Sequence, residues 1–207
     1  MIRNIMILTV FCGMLFLAAC AQTTSMPDID KGSSEPGGTV TFKGKPMKLI
    51  GNPIEVGKPL PSTKLVESDN MKMVDLSQEK GKILFLSIVP SLDTKVCEAQ
   101  THYLGEKGDQ LAGIAQRITI SRDTPFAQKR FWTEAKLGNN IEYLTDYREG
   151  DFGLSTGLMI DDLRLLARSI VIVDKSGIVR YVQVVPEITR LPDMEKAFAF
   201  AVDLSKS

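Results

Sequence analysis

The sequence predicts an α/β domain built on a mixed β-sheet. Three observations carry that expectation. An apolar run at residues 83–89 passes directly into a helical pattern, a second strand and helix follow from residue 117 onward, and two apolar segments late in the chain flank Asp174-Lys175-Ser176-Gly177. The first two are βα units, which bring helices onto a sheet, whereas the third is an antiparallel hairpin signal, so the sheet must be mixed. With 207 residues, 43% of them hydrophobic, the chain can bury one sizeable core and has little room for two. No internal repeat is visible.

Taken in order, Thr39–Phe42 and residues 47–50 alternate apolar and polar residues around Gly44-Lys45-Pro46, which predicts an N-terminal hairpin. Residues 83–89, Ile-Leu-Phe-Leu-Ser-Ile-Val between Gly81 and Pro90, read as a central strand buried on both faces. Asp93 or Thr94 can cap a helix running through Val96 and Ala99 to about Leu104, which places Cys97 in its first turn. Residues 117–121 form the next strand. Pro125 opens a helix that carries Arg130, Phe131 and Trp132 and ends near Gly138-Asn139-Asn140. The hairpin of Ser169–Val173 and residues 178–185 and a last helix over residues 193–204 complete the domain, which is expected to span residues 39–207.

The N-terminus reads as an address. Arg3 precedes an apolar run over residues 5–19 that closes with Leu17-Ala18-Ala19-Cys20, and this resembles a bacterial lipoprotein signal. The run is shorter than the ~20 residues that span a bilayer, which favours a cleaved leader over a permanent membrane helix. The resemblance implies a signal peptide over residues 1–19 and lipid attachment at Cys20, which becomes the first residue of the mature chain. An uncleaved signal anchor is the alternative. Residues 21–38 are polar and aperiodic, so residues 20–38 are expected to form the lipidated cysteine and a flexible tether. The implied location is extracytoplasmic, facing the periplasm from an outer membrane, since Ala21 stands where an aspartate commonly retains lipoproteins at an inner one.

Charge excludes some functions. Lysine plus arginine and aspartate plus glutamate both number 25, so no basic field recruits nucleic acid. The three cysteines stand at 12, 20 and 97, which leaves the domain a single thiol and rules out a disulfide scaffold. The single histidine, His102, lies five positions after Cys97, about 140° around a helix, and is poorly placed for a Cys-His pair. There is no metal-ligand cluster, no phosphate-binding glycine motif and no Cys-x-x-Cys. A lone cysteine is ordinarily a small buried hydrophobe. At the start of a helix, however, unpaired N–H groups and the helix dipole favour the nucleophilic thiolate.

Around that thiol the wording becomes specific. Pro90, three residues, Thr94, two residues and Cys97 resemble the active-site pattern of peroxiredoxins. The wider stretch Pro-Ser-Leu-Asp-Thr-Lys-Val-Cys, with Ser121-Arg122-Asp123-Thr124-Pro125-Phe126-Ala127-Gln128-Lys129-Arg130-Phe131 downstream, resembles the thiol peroxidase branch over about residues 38–204. That resemblance implies a thioredoxin-like fold, a homodimer, and peroxide reduction without metal or organic cofactor. It makes Cys97 the peroxidatic cysteine, Thr94 a hydroxyl that hydrogen-bonds thiolate and peroxide, and Pro90 a shield. Leu166-Ala167-Arg168 matches the arginine that pairs with the thiolate and the peroxide oxygen. Asp123 and Arg130 stay outside the catalytic set.

One departure matters. The branch places a resolving cysteine directly after the Arg-Phe pair, and this chain has Trp132 there. The departure implies a one-cysteine cycle in which an external thiol reduces the Cys97 sulfenic acid, and the lipoprotein reading implies an exported thioredoxin-like protein as the donor. The alternative is a non-catalytic peroxide-sensing or binding lipoprotein.

Overall fold

The computed structural model describes residues 26–137 and 140–206. The leader and Cys20 lie outside these residues. In chain order come β1 (Thr39–Phe42), β2 (Lys45–Ile50), β3 (Leu65–Glu67), β4 (Met73–Val74), β5 (Ile83–Ile88), α1 (Lys95–Lys107), β6 (Ala115–Ser121), α2 (Pro125–Ala135), β7 (Glu142–Thr145), α3 (Asp151–Thr156), β8 (Met159–Ile160), β9 (Ser169–Val173), β10 (Val179–Val184) and α4 (Met194–Leu204).

The main sheet has the order β10-β9-β5-β6-β7-β3-β4. Strands β5, β6 and β7 run parallel, and the strands at either side are antiparallel, so the mixed sheet expected from the sequence is present. Because successive side chains of a strand point to opposite faces, the apolar run of β5 feeds two cores. Leu84, Leu86 and Ile88 join Ile118, Ile120, Val171 and Val173 beneath the β1–β2 hairpin and Phe152 of α3. Ile83 and Phe85 join Ile170 and Ile172 beneath Leu104 of α1 and Phe198 of α4. Phe198 meets Phe85 at 5.2 Å between ring centroids, and each such burial contributes about 1.5–3 kcal/mol. Ser87 is in phase with Ile83 and Phe85, so one hydroxyl faces the helical layer at the end of β5.

The N-terminal hairpin forms, with its turn one step earlier than the sequence predicts. Lys43 and Gly44 are the two loop residues, at φ of 51° and 77°, a left-handed pair that matches the strand twist. Pro46 stands inside β2 opposite Thr41. It is tolerated there because β8 pairs only with Leu49 and Ile50, so no neighbour requires its missing N–H. Helix α2 also ends earlier than expected. Lys136 turns left-handed at φ 57° and the Leu137 N–H returns to the Trp132 carbonyl at 3.0 Å, a closing turn that satisfies the last carbonyls.

The larger correction concerns the tether. Residues 28–38 are laid along the domain: Asp30 N–H donates to the Leu191 carbonyl and Leu191 N–H to the Asp28 carbonyl (both 2.7 Å), and Ser34 N–H donates to the Val184 carbonyl (2.8 Å). The Gln183 side-chain amide adds bonds to the Asp30 and Gly32 carbonyls at 2.9 and 3.0 Å. A polar, aperiodic composition reads as flexible, yet this strap needs few apolar side chains because its backbone serves the edge of β10. Gly157 lets it close, since its own φ of +69° and the nearness of Pro53 and the Gly37 amide leave no room for a Cβ.

The hairpin is fastened to the far end of the chain by Glu187. Burial opposes its charge, but the Gly44 amide, the Thr189 hydroxyl, the Lys43 amide and the Thr41 hydroxyl outweigh that and bring its pKa from 4.5 down to about 2. A folded pKa below the unfolded one stabilises the fold while the group is ionised, and that contribution is lost as pH falls from about 4.5 to about 2. Melting temperatures recorded through this window should fall, and Glu187→Gln should show a shallower dependence.

Candidate active site

Cys97 lies in the first turn of α1, at the C-terminal end of β5, and has no accessible surface. Val89 continues β5 by donating to the Ile120 carbonyl at 3.0 Å, and the chain then breaks at Pro90, which is buried. Between strand and helix, residues 91–93 form a tight loop held by Asp123. Its carboxylate accepts from the Ser91 hydroxyl, the Leu92 N–H and the Ser121 hydroxyl, each at 2.7 Å. Asp123 therefore fixes the loop that delivers Cys97. The Asp93–Arg130 pair at 3.6 Å is exposed on both sides, a geometry worth at most about 1 kcal/mol.

Thr94 occupies the N-cap position, but its hydroxyl makes no capping bond. It donates instead to the Ser91 carbonyl at 3.2 Å and remains exposed. The hydroxyl is thus free of the structural duty that usually explains a threonine in this position.

Arg168 enters from the start of β9 and is 2% exposed. Its Nη2 donates to Cys97 Sγ at 3.3 Å, Nη1 to Gln100 Oε1 at 2.8 Å and Nε to the Ile188 carbonyl at 2.9 Å. Gln100, one helical turn beyond Cys97, is itself anchored by its amide to the Ser87 hydroxyl at 2.8 Å. The structure therefore brings Cys97 and Arg168 into direct contact across 71 residues of sequence. Gln100 and Ser87, which sequence reasoning missed, complete the cradle. Their one signal was spacing: position 100 shares the Cys97 face of the helix, and Ser87 interrupts an otherwise apolar strand.

No carboxylate stands within 4.0 Å of Arg168 among the described residues. Its acceptors are a carbonyl, an amide oxygen and the sulfur. A buried guanidinium without a counter-ion costs several kcal/mol, and the one neighbour in its hydrogen-bonding set that can become an anion is the Cys97 thiol.

His102 belongs elsewhere. It lies 3.8 and 3.9 Å from Glu98 and Glu106 and meets Phe131 edge-on, so it takes no part in the site. Trp132 is half-buried and stacks on Tyr143 with ring centroids 6.4 Å apart, a packing role in the helical layer.

The chain is similar to proteins of one family. A family model described as Redoxin matches residues 55–198. The thiol peroxidase of Halalkalibacterium halodurans is 42% identical over 163 residues, covering 79% of this chain and 96% of its own. That of Bacillus subtilis is 40% identical, covering 81% and 98%. Among solved structures, a peroxiredoxin-like protein from Aquifex aeolicus is 34% identical with a TM-score of 0.74, covering 84% of this chain and 99% of its own. These matches define the class, a peroxidase enzyme on a thioredoxin-like scaffold. The chain belongs to the Redoxin family.

Proposed function

We propose that the chain is a lipid-anchored, one-cysteine peroxidase that reduces hydrogen peroxide or organic hydroperoxides through Cys97 and is recycled by an external thiol. The observation that carries this reading is the buried Arg168 guanidinium, whose only ionisable hydrogen-bonding neighbour among the described residues is Cys97 Sγ at 3.3 Å. The guanidinium stands within hydrogen-bonding distance of the sulfur, where it can pair with the nucleophilic form of the thiol.

In the reaction the thiolate attacks one peroxide oxygen. The S–O bond forms as the O–O bond breaks, Cys97 becomes a sulfenic acid, and the leaving oxygen departs as an alkoxide or hydroxide that takes up a proton. Arg168 and the Thr94 hydroxyl stabilise the charge moving onto that oxygen. Pro90, lacking an N–H, closes one side of the site without competing for the sulfur. Gln100 and Asp123 act as positioning residues, the first on Arg168 and the second on the loop before α1. A donor thiol then displaces water from the sulfenic acid to give a mixed disulfide, and a second donor thiol releases Cys97. Because Cys97 has no accessible surface, the exposed residues 93–94 and the first turn of α1 open to admit peroxide and, later, the donor.

Trp132 removes the thiol that would resolve the intermediate internally. The leader-like N-terminus, with Cys20 as lipid site, supports a location outside the cytoplasm, where an exported thioredoxin-like protein is the fitting donor. A homodimer is part of the same reading. Steady-state peroxide consumption with a thioredoxin system decides between enzyme and sensor: many equivalents consumed per chain support the cycle, and a single stoichiometric oxidation that persists in the presence of donor overturns it in favour of sensing.

A further inference from the structure

The loop that follows β10 connects the reacting pair to the N-terminal hairpin. Ile188 presents its carbonyl to Arg168 Nε at 2.9 Å. The neighbouring residue, Glu187, spreads its carboxylate under the hairpin turn: Oε1 accepts from the Lys43 amide at 3.0 Å and Oε2 from the Gly44 amide at 3.0 Å. Oε2 also accepts from the Thr41 hydroxyl at 2.9 Å. Oε1 accepts from the Thr189 amide at 3.1 Å and from its hydroxyl at 2.7 Å. The left-handed conformations of Lys43 and Gly44 turn two successive amides toward one anion, as backbone nests do. Beside it, Thr41 N–H donates to the Pro186 carbonyl at 2.6 Å and Ile188 N–H to the Thr41 carbonyl at 2.9 Å. The peptide that carries the Ile188 carbonyl is therefore held by the hairpin.

We propose that Glu187 is a positioning residue for the peroxide-reacting centre: by tying the Ile188 peptide to the β1–β2 turn it sets the Ile188 carbonyl against Arg168 Nε and so aims Nη2 at Cys97 Sγ. This rests on the reading of Cys97 and Arg168 as the reacting pair. The guanidinium is planar and rigid, so its fork has one orientation that satisfies all three acceptors at once. Two of those acceptors, Cys97 Sγ and Gln100 Oε1, come from α1. The third, the Ile188 carbonyl, is supplied by a loop that the Glu187 carboxylate and the Thr41 backbone fasten to the hairpin. With that fastening gone, Nε loses its acceptor or the fork rotates, and a misplacement of the order of 1 Å at a reacting group costs about a hundredfold in rate at the extreme. The hairpin is then part of the catalytic apparatus and not only a cover for one core.

The test is a double-mutant cycle on the full chain, read as the rate of Cys97 sulfenic acid formation by hydrogen peroxide in single turnover. Glu187→Ala is expected to slow this step about tenfold, and in an Arg168→Met background the same change is expected to alter it less than about twofold, since coupled residues are non-additive. Leu76→Ala, a cavity-forming change in the same core cluster away from the hairpin, controls for stability and should leave the rate within about twofold of the parent while lowering the melting temperature. Should Glu187→Ala fail to fold by circular dichroism, Glu187→Gln takes its place, with a slowing of about threefold expected and a rescue relative to alanine as its signature wherever both fold. A parental rate in the Glu187 variant overturns the proposal. So does an undiminished effect in the Arg168→Met background, or a slowing by Leu76→Ala as large as that by Glu187→Ala. If Cys97→Ser still consumed hydrogen peroxide at the parental rate, the underlying reading would fail instead, and the two failures are distinguishable.

Discussion

Cys97→Ser is expected to reduce peroxide consumption by at least about a thousandfold, to the rate at which the thiol donor reacts with peroxide alone. Serine is close to isosteric with cysteine, and the site is fully packed, so the fold should survive. Its hydroxyl is not ionised at neutral pH and cannot serve as the counter-ion of Arg168, so both the nucleophile and the electrostatic pairing are lost together. The measurement is steady-state consumption of hydrogen peroxide by parent and variant with the same donor. A variant that retained more than a few per cent of the parental rate would remove Cys97 from the mechanism.

Arg168→Met carries the second large effect. Removing a preorganised donor from developing negative charge costs about 10²–10³ in rate, and the same loss is expected in the second-order rate constant with peroxide. Stability moves differently. The Ile188 carbonyl and Gln100 Oε1 lose their donors, each a penalty of about 1–3 kcal/mol if left unpaired. Against this, the cost of burying a cation with no carboxylate partner disappears. The two terms oppose each other, so the melting temperature should shift far less than the rate. Arg168→Lys should recover only part of the activity, since a point charge cannot serve the sulfur, the amide and the carbonyl as one planar fork. A variant whose loss of rate simply followed its loss of folded protein would make Arg168 structural.

What the sequence disclosed and what it hid follow from the range of the interactions involved. Strand β5 was legible because a continuous apolar run reports burial on both faces, and Cys97, Thr94 and Pro90 were legible because their spacing is local. Arg168 was found through the words around it, not through any periodicity. Asp123 is legible in the sequence only as a polar residue in a sensible place and Gln100 is missed, since their roles depend on partners 31 and 68 residues away. Glu187 is more distant still, bonding across 143 to 146 residues to the hairpin. Strands β3, β4 and β8 left no pattern because two or three residues cannot display a period, and β7, Glu-Tyr-Leu-Thr, does not alternate. Helix α3, six residues long between two left-handed glycines, is defined by Asp146, whose carboxylate accepts from the Phe152 and Gly153 amides at 3.0 Å. The strap at residues 28–38 escapes a reading from composition because low apolarity does not mean absence of order: the edge of β10 supplies hydrogen bonds that ask nothing of side-chain hydrophobicity.

That strap bears on how copies of the chain can assemble. Strand β10 forms one border of the main sheet, and an open border is a template on which a second sheet can continue. Here Val184 is already engaged by Ser33 and Ser34 at one end of the strand, and Val179 by Gly57 and Lys58 at the other. The opposite border, β4, is two residues long. Neither side offers a free run of amides and carbonyls, so two protomers cannot fuse their sheets into one without first peeling the strap away. The homodimer proposed above would then use helix and loop surfaces, leaving each sheet closed within its own subunit.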